Sequence, residues 1–154
     1  MEIVIRALQN SDIEALAEIE SETFSVPWSK KAFEELLEHS YCFYLVALAD
    51  GQPVGCCGYT ISCGEACIDK VVVAKKHRNQ GIAGQMLKEL IAAGEDALVE
   101  AFTLEVRVSN TTAIHLYEKF GFRSEGIRPH FYEKPVEDAM IMWRRKTDTE
   151  TLIF

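Results

Sequence analysis

The residues best suited to chemistry lie in one run, Val71-Val72-Val73-Ala74-Lys75-Lys76-His77-Arg78-Asn79-Gln80-Gly81-Ile82-Ala83-Gly84. Gly81, Ala83 and Gly84 are small enough to let a ligand approach the backbone closely. They fall where a helix begins, and the unsatisfied N–H groups of a first helical turn attract anions. Lys75, Lys76 and Arg78 add positive charge just before that turn. The chemistry implied is the holding of a phosphate or pyrophosphate. No Lys-Ser or Lys-Thr follows the glycines, which excludes a Walker loop, and Gly81 and Gly84 lack the earlier glycine of the dinucleotide fingerprint. The same residues also fit a strand–helix turn that binds nothing.

The elements that must position this run are legible from periodicity. Val71 to Val73 are β-branched and suit a buried strand. Ile82, Met86, Leu87, Leu90 and Ile91 recur at helical spacing, so a helix runs from Gln80 to about Leu98 with one apolar face. Upstream, Ile3 to Leu8 reads as a strand. Asn10, Ser11 and Asp12 can cap a helix reaching about Thr23, with Ile13, Leu16, Ala17 and Ile19 on its apolar side. Pro27 breaks the chain, and Ser29 can cap a second helix through Phe33, Leu36 and Leu37. Tyr41 to Ala49 is a nearly continuous apolar strand, expected to be covered on both faces. Asp50-Gly51 is a hairpin signal, Val54 to Ser62 returns, Gly64-Glu65 turns, and Cys67 to Val73 follows.

Downstream, Ala101 to Val108 alternates. Phe102, Leu104, Val106 and Val108 point one way, and Thr103, Glu105 and Arg107 the other. Ser109 or Asn110 caps a helix carrying Ile114, Tyr117 and Phe120, which Gly121 stops. Phe122 to Arg128 and Val136 to Arg145 read as closing strands. Thr147 to Phe154 reads as a tail that frays unless Leu152, Ile153 and Phe154 dock. Hairpin-linked strands with helical crossovers predict a mixed α/β (α+β) protein, its central sheet mostly antiparallel with helices on both faces. No repeat or linker interrupts the 154 residues, so a single domain, 1–154, is expected.

Composition narrows the partners. Hydrophobic residues make up 48%, which suffices for a real core. A net charge of −8 argues against non-specific binding of nucleic acid, which needs excess Lys and Arg, and suits a cationic substrate, although it can equally serve solubility. The chain starts Met-Glu-Ile-Val-Ile-Arg, without a basic leader or long apolar run, so a cytoplasmic location without membrane association is expected, with the chain as a monomer. Five cysteines, Cys42, Cys56, Cys57, Cys63 and Cys67, cannot form a complete disulfide framework. Their spacing lacks a Cys-x-x-Cys pair, and no metal is expected. Cys63-Gly64-Glu65-Ala66-Cys67 reads as a hairpin turn with a cysteine on each side.

Arg78-Asn79-Gln80-Gly81-Ile82-Ala83 resembles the acetyl-coenzyme A motif of the GNAT acetyltransferases, Arg/Gln-x-x-Gly-x-Gly/Ala. Further blocks resemble the RimI-type N-terminal acetyltransferases in the same order. They are Leu104 to Ile114, Leu116-Tyr117-Glu118-Lys119-Phe120-Gly121-Phe122, His130-Phe131-Tyr132 with Glu137-Asp138-Ala139, and Phe24-Ser25-Val26-Pro27-Trp28-Ser29. The likeness covers nearly the whole chain.

This resemblance implies a fold in which the strand before the glycine motif and the next strand are parallel and splay apart to receive the pantetheine arm. By position, Val71, Val72 and Val73 would offer their backbone to that arm. Arg78, Asn79, Gln80, Gly81, Ile82, Ala83 and Gly84 would wrap the pyrophosphate, and Asn110 would touch the cosubstrate as well as capping its helix. His77 could reach a phosphate, although a solvated loop histidine is the plainer reading, and His115 reads as a surface residue.

Amine acetylation needs a base, an oxyanion donor and an acid for the leaving thiolate. The resemblance assigns Glu105 as base, through water, and Tyr117 as acid. Their pattern alone also allows a solvated strand glutamate and a core tyrosine. Phe24, Pro27, Trp28, Phe131 and Tyr132 would line an aromatic slot for a peptide's first residues, or else simply pack. The implied acceptor is the N-terminal alanine of a small-subunit ribosomal protein. An α-amine, with a pKa of ~8 against ~10.4 for lysine, needs only a modest base. Phe131 departs from the family's usual tyrosine, which bears on selectivity. Two other functions stay open, a lysine or polyamine acetyltransferase and a non-catalytic acyl-CoA-binding regulator.

Overall fold

The structure is a computed structural model that describes residues 1–146. The expected tail from Thr147 lies outside the described residues. The elements in chain order are β1 (Ile3–Ala7), α1 (Ile13–Thr23), α2 (Lys30–Glu38), β2 (Cys42–Ala49), β3 (Gln52–Ser62), β4 (Glu65–Val73), α3 (Ile82–Asp96), β5 (Ala101–Arg107), α4 (Thr111–Lys119), β6 (Arg123–Tyr132) and β7 (Glu137–Arg145). The strands form one sheet in the order β1-β2-β3-β4-β5-β7-β6. The pairs β1/β2, β2/β3, β5/β7 and β6/β7 are antiparallel, and β4/β5 is parallel. The expected mixed, mostly antiparallel sheet is present. Among the described residues no helix is long and apolar enough to cross a membrane.

Two compact units divide the chain. The first combines Met1–Thr60 with Asp69–Ala93. Its core joins Leu8, Ile13, Leu16, Ile19 and Phe33 to Tyr44, Val46, Leu48, Cys56 and Val72, so α1 and α2 cover one face of β2, β3 and the end of β4. From Tyr44 to Ala49 every residue of β2 is buried, as its unbroken apolar run required. Asn10, Ser11 and Asp12 form a short 3-10 turn ahead of α1, and the expected side-chain cap on that helix is absent, because Asp12 turns back toward the exit of β1. Its carboxylate, 2% exposed, accepts from the Gln9 N–H at 2.8 Å and takes the Arg6 guanidinium at 2.8 and 2.9 Å. Burial raises the cost of its charge, but these bonds outweigh burial and hold its pKa below the usual carboxylate value. Ser29 caps α2 by accepting from the Ala32 N–H.

Asp50 and Gly51 both adopt positive φ, 48° and 83°, which fits a two-residue hairpin turn. The next turn is Cys63-Gly64, φ 53° and 79°, and not the expected Gly64-Glu65. Two successive left-handed residues are needed there, and Glu65 already begins β4, so Cys63 sits in the turn itself. The α3 residues Ile82, Met86, Leu87, Leu90 and Ile91 are all buried, as their spacing required. The helix starts at Ile82 and ends at Asp96, shorter at both ends than the apolar pattern suggested.

The second unit combines Ile61–Ile68 with the described residues from Gly94 onward. Here β4 runs parallel to β5 at Glu65–Ala101, Ala66–Phe102 and Cys67–Thr103. The expected alternation of β5 holds, with Phe102, Leu104 and Val106 buried and Thr103, Glu105 and Arg107 half-buried. Of the closing strands, β6 is longer than expected, continuing through Pro129 to Tyr132, while β7 begins one residue later than expected, at Glu137. All five cysteines are free. Burial pushes the Cys56 thiol up to about 12 and Cys57 well above its ordinary value, which keeps both as inert packing groups.

Gly58 lies directly opposite Tyr44 in the β2/β3 ladder, and a Cβ there would overlap the Tyr44 ring. Tyr44 is buried and donates its hydroxyl hydrogen to Asp69 at 3.1 Å. Gly58→Ala must therefore expel the ring from the core, with an expected loss of about 1–3 kcal/mol in denaturant unfolding. An unchanged midpoint would show that the ring does not need this space.

Candidate active site

The candidate residues fall in both units, and each group is built locally. In the first unit, Val72 turns its side chain into the core, so Val72 could serve a ligand only through its backbone, and Val71 and Val73 flank it on the strand. The Val73 carbonyl accepts from Arg78 Nε at 3.0 Å, and the Ala74 N–H donates to Val54 at 2.7 Å. After β4 the chain makes a short turn through Lys75, Lys76 and His77. Both lysines and Arg78 are exposed. His77 is half-buried rather than solvated, and its Nδ1 is a buried atom with no hydrogen bond among the described residues.

Asn79 and Gly81 take positive φ, 63° and 78°, on either side of Gln80. Such alternation turns successive N–H groups toward one side, the geometry of an anion-holding nest. A Cβ at Gly81 would meet nothing within 4 Å, so the space in front of this backbone is open. The first intrahelical bond of α3 is Gln85 N–H to Gly81 at 3.1 Å, which leaves the amides of Ile82, Ala83 and Gly84 beyond the reach of any helical carbonyl. No acidic residue stands in that turn. The residues present fit a pyrophosphate.

Phe24, Pro27 and Trp28 form the connection between α1 and α2. Phe24 and Pro27 are exposed, and Trp28 is half-buried against Phe33, with ring centroids 5.4 Å apart. The ammonium of Lys70 lies 4.2 Å from the centre of the Phe24 ring and 4.3 Å from that of Trp28. It is paired with the fully buried Glu20 at 2.9 Å. Glu20 and Lys70 escaped the sequence reading, yet both carried a signal. Glu20 follows Ile13, Leu16 and Ala17 at helical spacing, and Lys70 follows Ala66 and Ile68 at strand spacing. Opposite charges in two buried registers are the mark of a buried pair.

In the second unit Glu105 stands on β5, opposite Ile141 of β7, with its side chain 27% exposed. Its Oε2 lies 3.1 Å from Arg128 Nε. Two residues along, on the same face, Arg107 donates to the carbonyls of Pro135 and Glu133, at 3.0 and 3.1 Å, and to Glu137 at 3.2 Å. Its guanidinium also covers the Tyr132 ring at 4.4 Å. Glu137 accepts from the Ser109 N–H at 2.8 Å. Hydrogen bonding from the Ser109 side chain, then that backbone bond, and the Arg107 contact together hold its pKa below the ordinary value against the opposing effect of burial.

The Tyr132 phenol is pushed up, first by burial and then by the nearby charges of Glu105 and Glu137, with Arg107 opposing. It therefore stays protonated as a donor. Phe131 meets Tyr132 edge-on at 5.0 Å. Asn110, rather than Ser109, caps α4 by accepting from the Ala113 N–H at 3.2 Å. Tyr117 is buried on α4 with its ring 5.8 Å from that of Phe122, and His115 is exposed as expected. The structure thus gathers Glu105, Tyr132 and three residues that sequence reasoning missed as site members: Arg107, Arg128 and Glu137. Among the described residues no three His, Cys, Asp or Glu side chains come together as a metal site.

Residues 13–122 match the acetyltransferase (GNAT) family. The chain belongs to the GNAT acetyltransferases. It is 37% identical over 140 residues to a protein of Bacillus subtilis (strain 168) with the provisional name [ribosomal protein bS18]-alanine N-acetyltransferase, covering 90% of this chain and 93% of that one. It is 31% identical over 140 residues to the [ribosomal protein bS18]-alanine N-acetyltransferase of Escherichia coli (strain K12), covering 90% and 94%. The crystal structure of the ribosomal-protein-S18-alanine N-acetyltransferase from Escherichia coli superposes with a TM-score of 0.86 at 29% identity, covering 94% of each chain. As a GNAT member the chain is an N-acetyltransferase, and its cosubstrate is acetyl-coenzyme A.

The Arg107 contacts generate an expectation for the β6–β7 turn of this acetyltransferase. Arg107→Met removes the donors that gather Glu133, Pro135 and Glu137. Amides of the turn should then exchange with deuterium markedly faster, with about 2 kcal/mol of stability lost. Unaltered exchange in the turn would show that the strand pairing holds it without Arg107.

Proposed function

We propose that this GNAT enzyme acetylates the free α-amine of a protein N-terminus, and that its acceptor is the N-terminal alanine of a small-subunit ribosomal protein. The observation that carries the reading is the likeness, over 140 residues and more than nine-tenths of each relative, to bacterial enzymes whose names state that reaction. The family match spans residues 13–122, through elements of both compact units, which supports taking 1–154 as one catalytic domain; a monomer is part of the same proposal.

In this reading the pyrophosphate of acetyl-coenzyme A lies on the N–H groups of Arg78, Asn79, Gln80, Gly81, Ile82, Ala83 and Gly84. The backbone of Val71, Val72 and Val73 meets the pantetheine arm, and the side-chain amide of Asn110 adds a donor. Glu105 removes a proton from the acceptor ammonium, through water, and Arg128 balances its charge until a cationic substrate arrives. The freed amine attacks the thioester carbonyl. The C–N bond forms as the C–S bond breaks, Tyr117 donates a proton to the departing thiolate, and the proton the acylated nitrogen sheds passes through solvent to regenerate the Tyr117 phenol. Phe24, Pro27, Trp28, Phe131 and Tyr132 contact the first residues of the acceptor. The acidic chain attracts a basic acceptor, an effect that weakens with salt.

Gly81→Asp places a carboxylate in the open space before the nest. The folded variant should bind acetyl-coenzyme A at least about tenfold more weakly by calorimetry. Unchanged affinity would remove this loop from the cosubstrate site.

The acceptor and the acid–base roles are tested together on a peptide panel, with the acetyl group located by mass spectrometry. An Ala-first basic peptide should be modified at its α-amine, and the same peptide blocked at its N-terminus should be inert although its lysines remain free. On the reactive peptide, Glu105→Gln should lose most rate at low pH, where an amine of pKa ~8 is protonated, and recover partly as pH rises. Tyr117→Phe should lower turnover with little change in cosubstrate affinity. Equal modification of the blocked peptide on lysine would replace the α-amine reading. Equal, pH-independent losses in both variants would leave proximity as the main source of rate.

A further inference from the structure

The connection from Phe24 to Ser29 has no regular structure and is largely exposed. A six-residue surface loop with a proline and four exposed neighbours would ordinarily move freely. Here it is fastened at both ends to one largely covered cation, Lys70. The Lys70 ammonium touches Phe24 at 4.2 Å and Trp28 at 4.3 Å, ring centre to nitrogen. Glu20 Oε1 accepts from Lys70 Nζ at 2.9 Å and from the Trp28 N–H at 3.0 Å. The Glu20 side chain is fully buried and that of Lys70 is 10% exposed, so the bonds to Glu20 form away from water, where they are strong, while the contact with the exposed Phe24 ring is the weaker one. Trp28 is braced further by Phe33 and Tyr44, at 5.4 and 6.1 Å. Between the two anchored rings, Val26 and Pro27 stay exposed.

The pair is more than packing requires. A carboxylate and an ammonium are costly to bury, and an apolar pair of the same volume would fill the space without that cost. What an apolar pair would not provide is a single point that draws two rings and a backbone N–H to fixed positions. A lysine also suits this task because its ammonium is compact enough to sit under two faces at once.

We propose that Lys70 is a positioning residue for the acceptor side of the reaction: its ammonium, paired with Glu20, fixes the Phe24 and Trp28 rings, presents Val26 and Pro27, and so sets the affinity for the acceptor peptide. This rests on the reading of the Phe24–Trp28 connection as the acceptor-side loop. Lys70 touches neither reacting atom nor cosubstrate in this role, so it acts on peptide KM and not on the chemical step.

Lys70→Met alone leaves the Glu20 charge buried without its partner and endangers the fold. The informative variant is therefore the double replacement Glu20→Gln with Lys70→Met, compared with Lys70→Arg and Trp28→Ala, each checked by circular dichroism and thermal melting. With an Ala-first peptide as probe, the folded double variant should raise peptide KM about tenfold, while kcat and the KM for acetyl-coenzyme A stay within about twofold. Lys70→Arg keeps a cation beside Glu20 but fits under two rings less well than the compact ammonium, so its peptide KM should fall between those of the original and the double variant. A folded double variant with unchanged peptide KM, alongside a raised KM in Trp28→Ala, overturns the role of Lys70 and leaves the acceptor-side loop standing. An unchanged peptide KM in Trp28→Ala overturns the reading of the loop itself. A parallel rise in both KM values reduces the pair to general packing and overturns the proposal.

Discussion

A carboxylate with no exposed surface must be compensated inside the protein, and Glu20 is the case on which the first unit turns. Leaving such a charge unpaired costs about 3–5 kcal/mol, a large share of the stability of a domain this size. The compensation comes from Lys70 on β4 and from the Trp28 N–H on the α1–α2 connection. One carboxylate therefore binds α1 to a strand and to the loop that follows the helix. The apolar contacts of Ile13, Leu16, Ile19, Phe33, Tyr44 and Val72 supply most of the attraction, being non-directional and proportional to area. The ionic pair supplies direction, because only one register of α1 against β4 brings the two charges together.

The second unit is organised differently. Its polar side chains share one face of β5, where Thr103, Glu105 and Arg107 alternate with buried Phe102, Leu104 and Val106. Arg107 ties that face to the β6–β7 turn, and Glu137 returns the connection to the Ser109 N–H just before α4. The proposed base is thereby held on a strand, and its neighbours on a clamped hairpin. Rigid strands hold reactive groups more accurately than loops do. Glu105 has Arg128 beside it, so its charge is not isolated before substrate arrives.

The anion cradle needs neither of these networks. It follows from local backbone alone, with Asn79 and Gly81 in left-handed conformations and a helix start free of acidic residues. Gly81 has a reason beyond conformation, since the space where its side chain would be is the space a ligand would use. On the proposed assignment the acceptor side is built from aromatic rings and ion pairs and the cosubstrate side from a short stretch of backbone, so the first can vary while the second stays. That division agrees with the way a single fold comes to serve several acceptors.

The sequence by itself determined what depends on neighbours along the chain. Periodicity placed the buried run of β2, the alternation of β5 and the apolar face of α3, because side-chain direction repeats every two or 3.6 residues. Asp50-Gly51, Ser29 and Asn110 announced a turn and two caps through their own local hydrogen bonding and φ preference. The Arg78–Gly84 run and the blocks around Glu105 and Tyr117 were enough to point to the family. Local reading misplaced the Cys63-Gly64 turn by one residue, because a cysteine there takes a left-handed conformation that its type does not favour. Only the tertiary structure decided the ion pairs. Glu20 meets Lys70 across 50 residues, and Arg107 meets Glu137 across 30. Glu20 and Lys70 stand at apolar registers of their own segments, but no segment states which opposite charge its own will meet. Their partners were chosen by strand order and by the register in which helix and hairpin dock, and a charge carries no label in the sequence for which distant opposite charge the fold will bring to it.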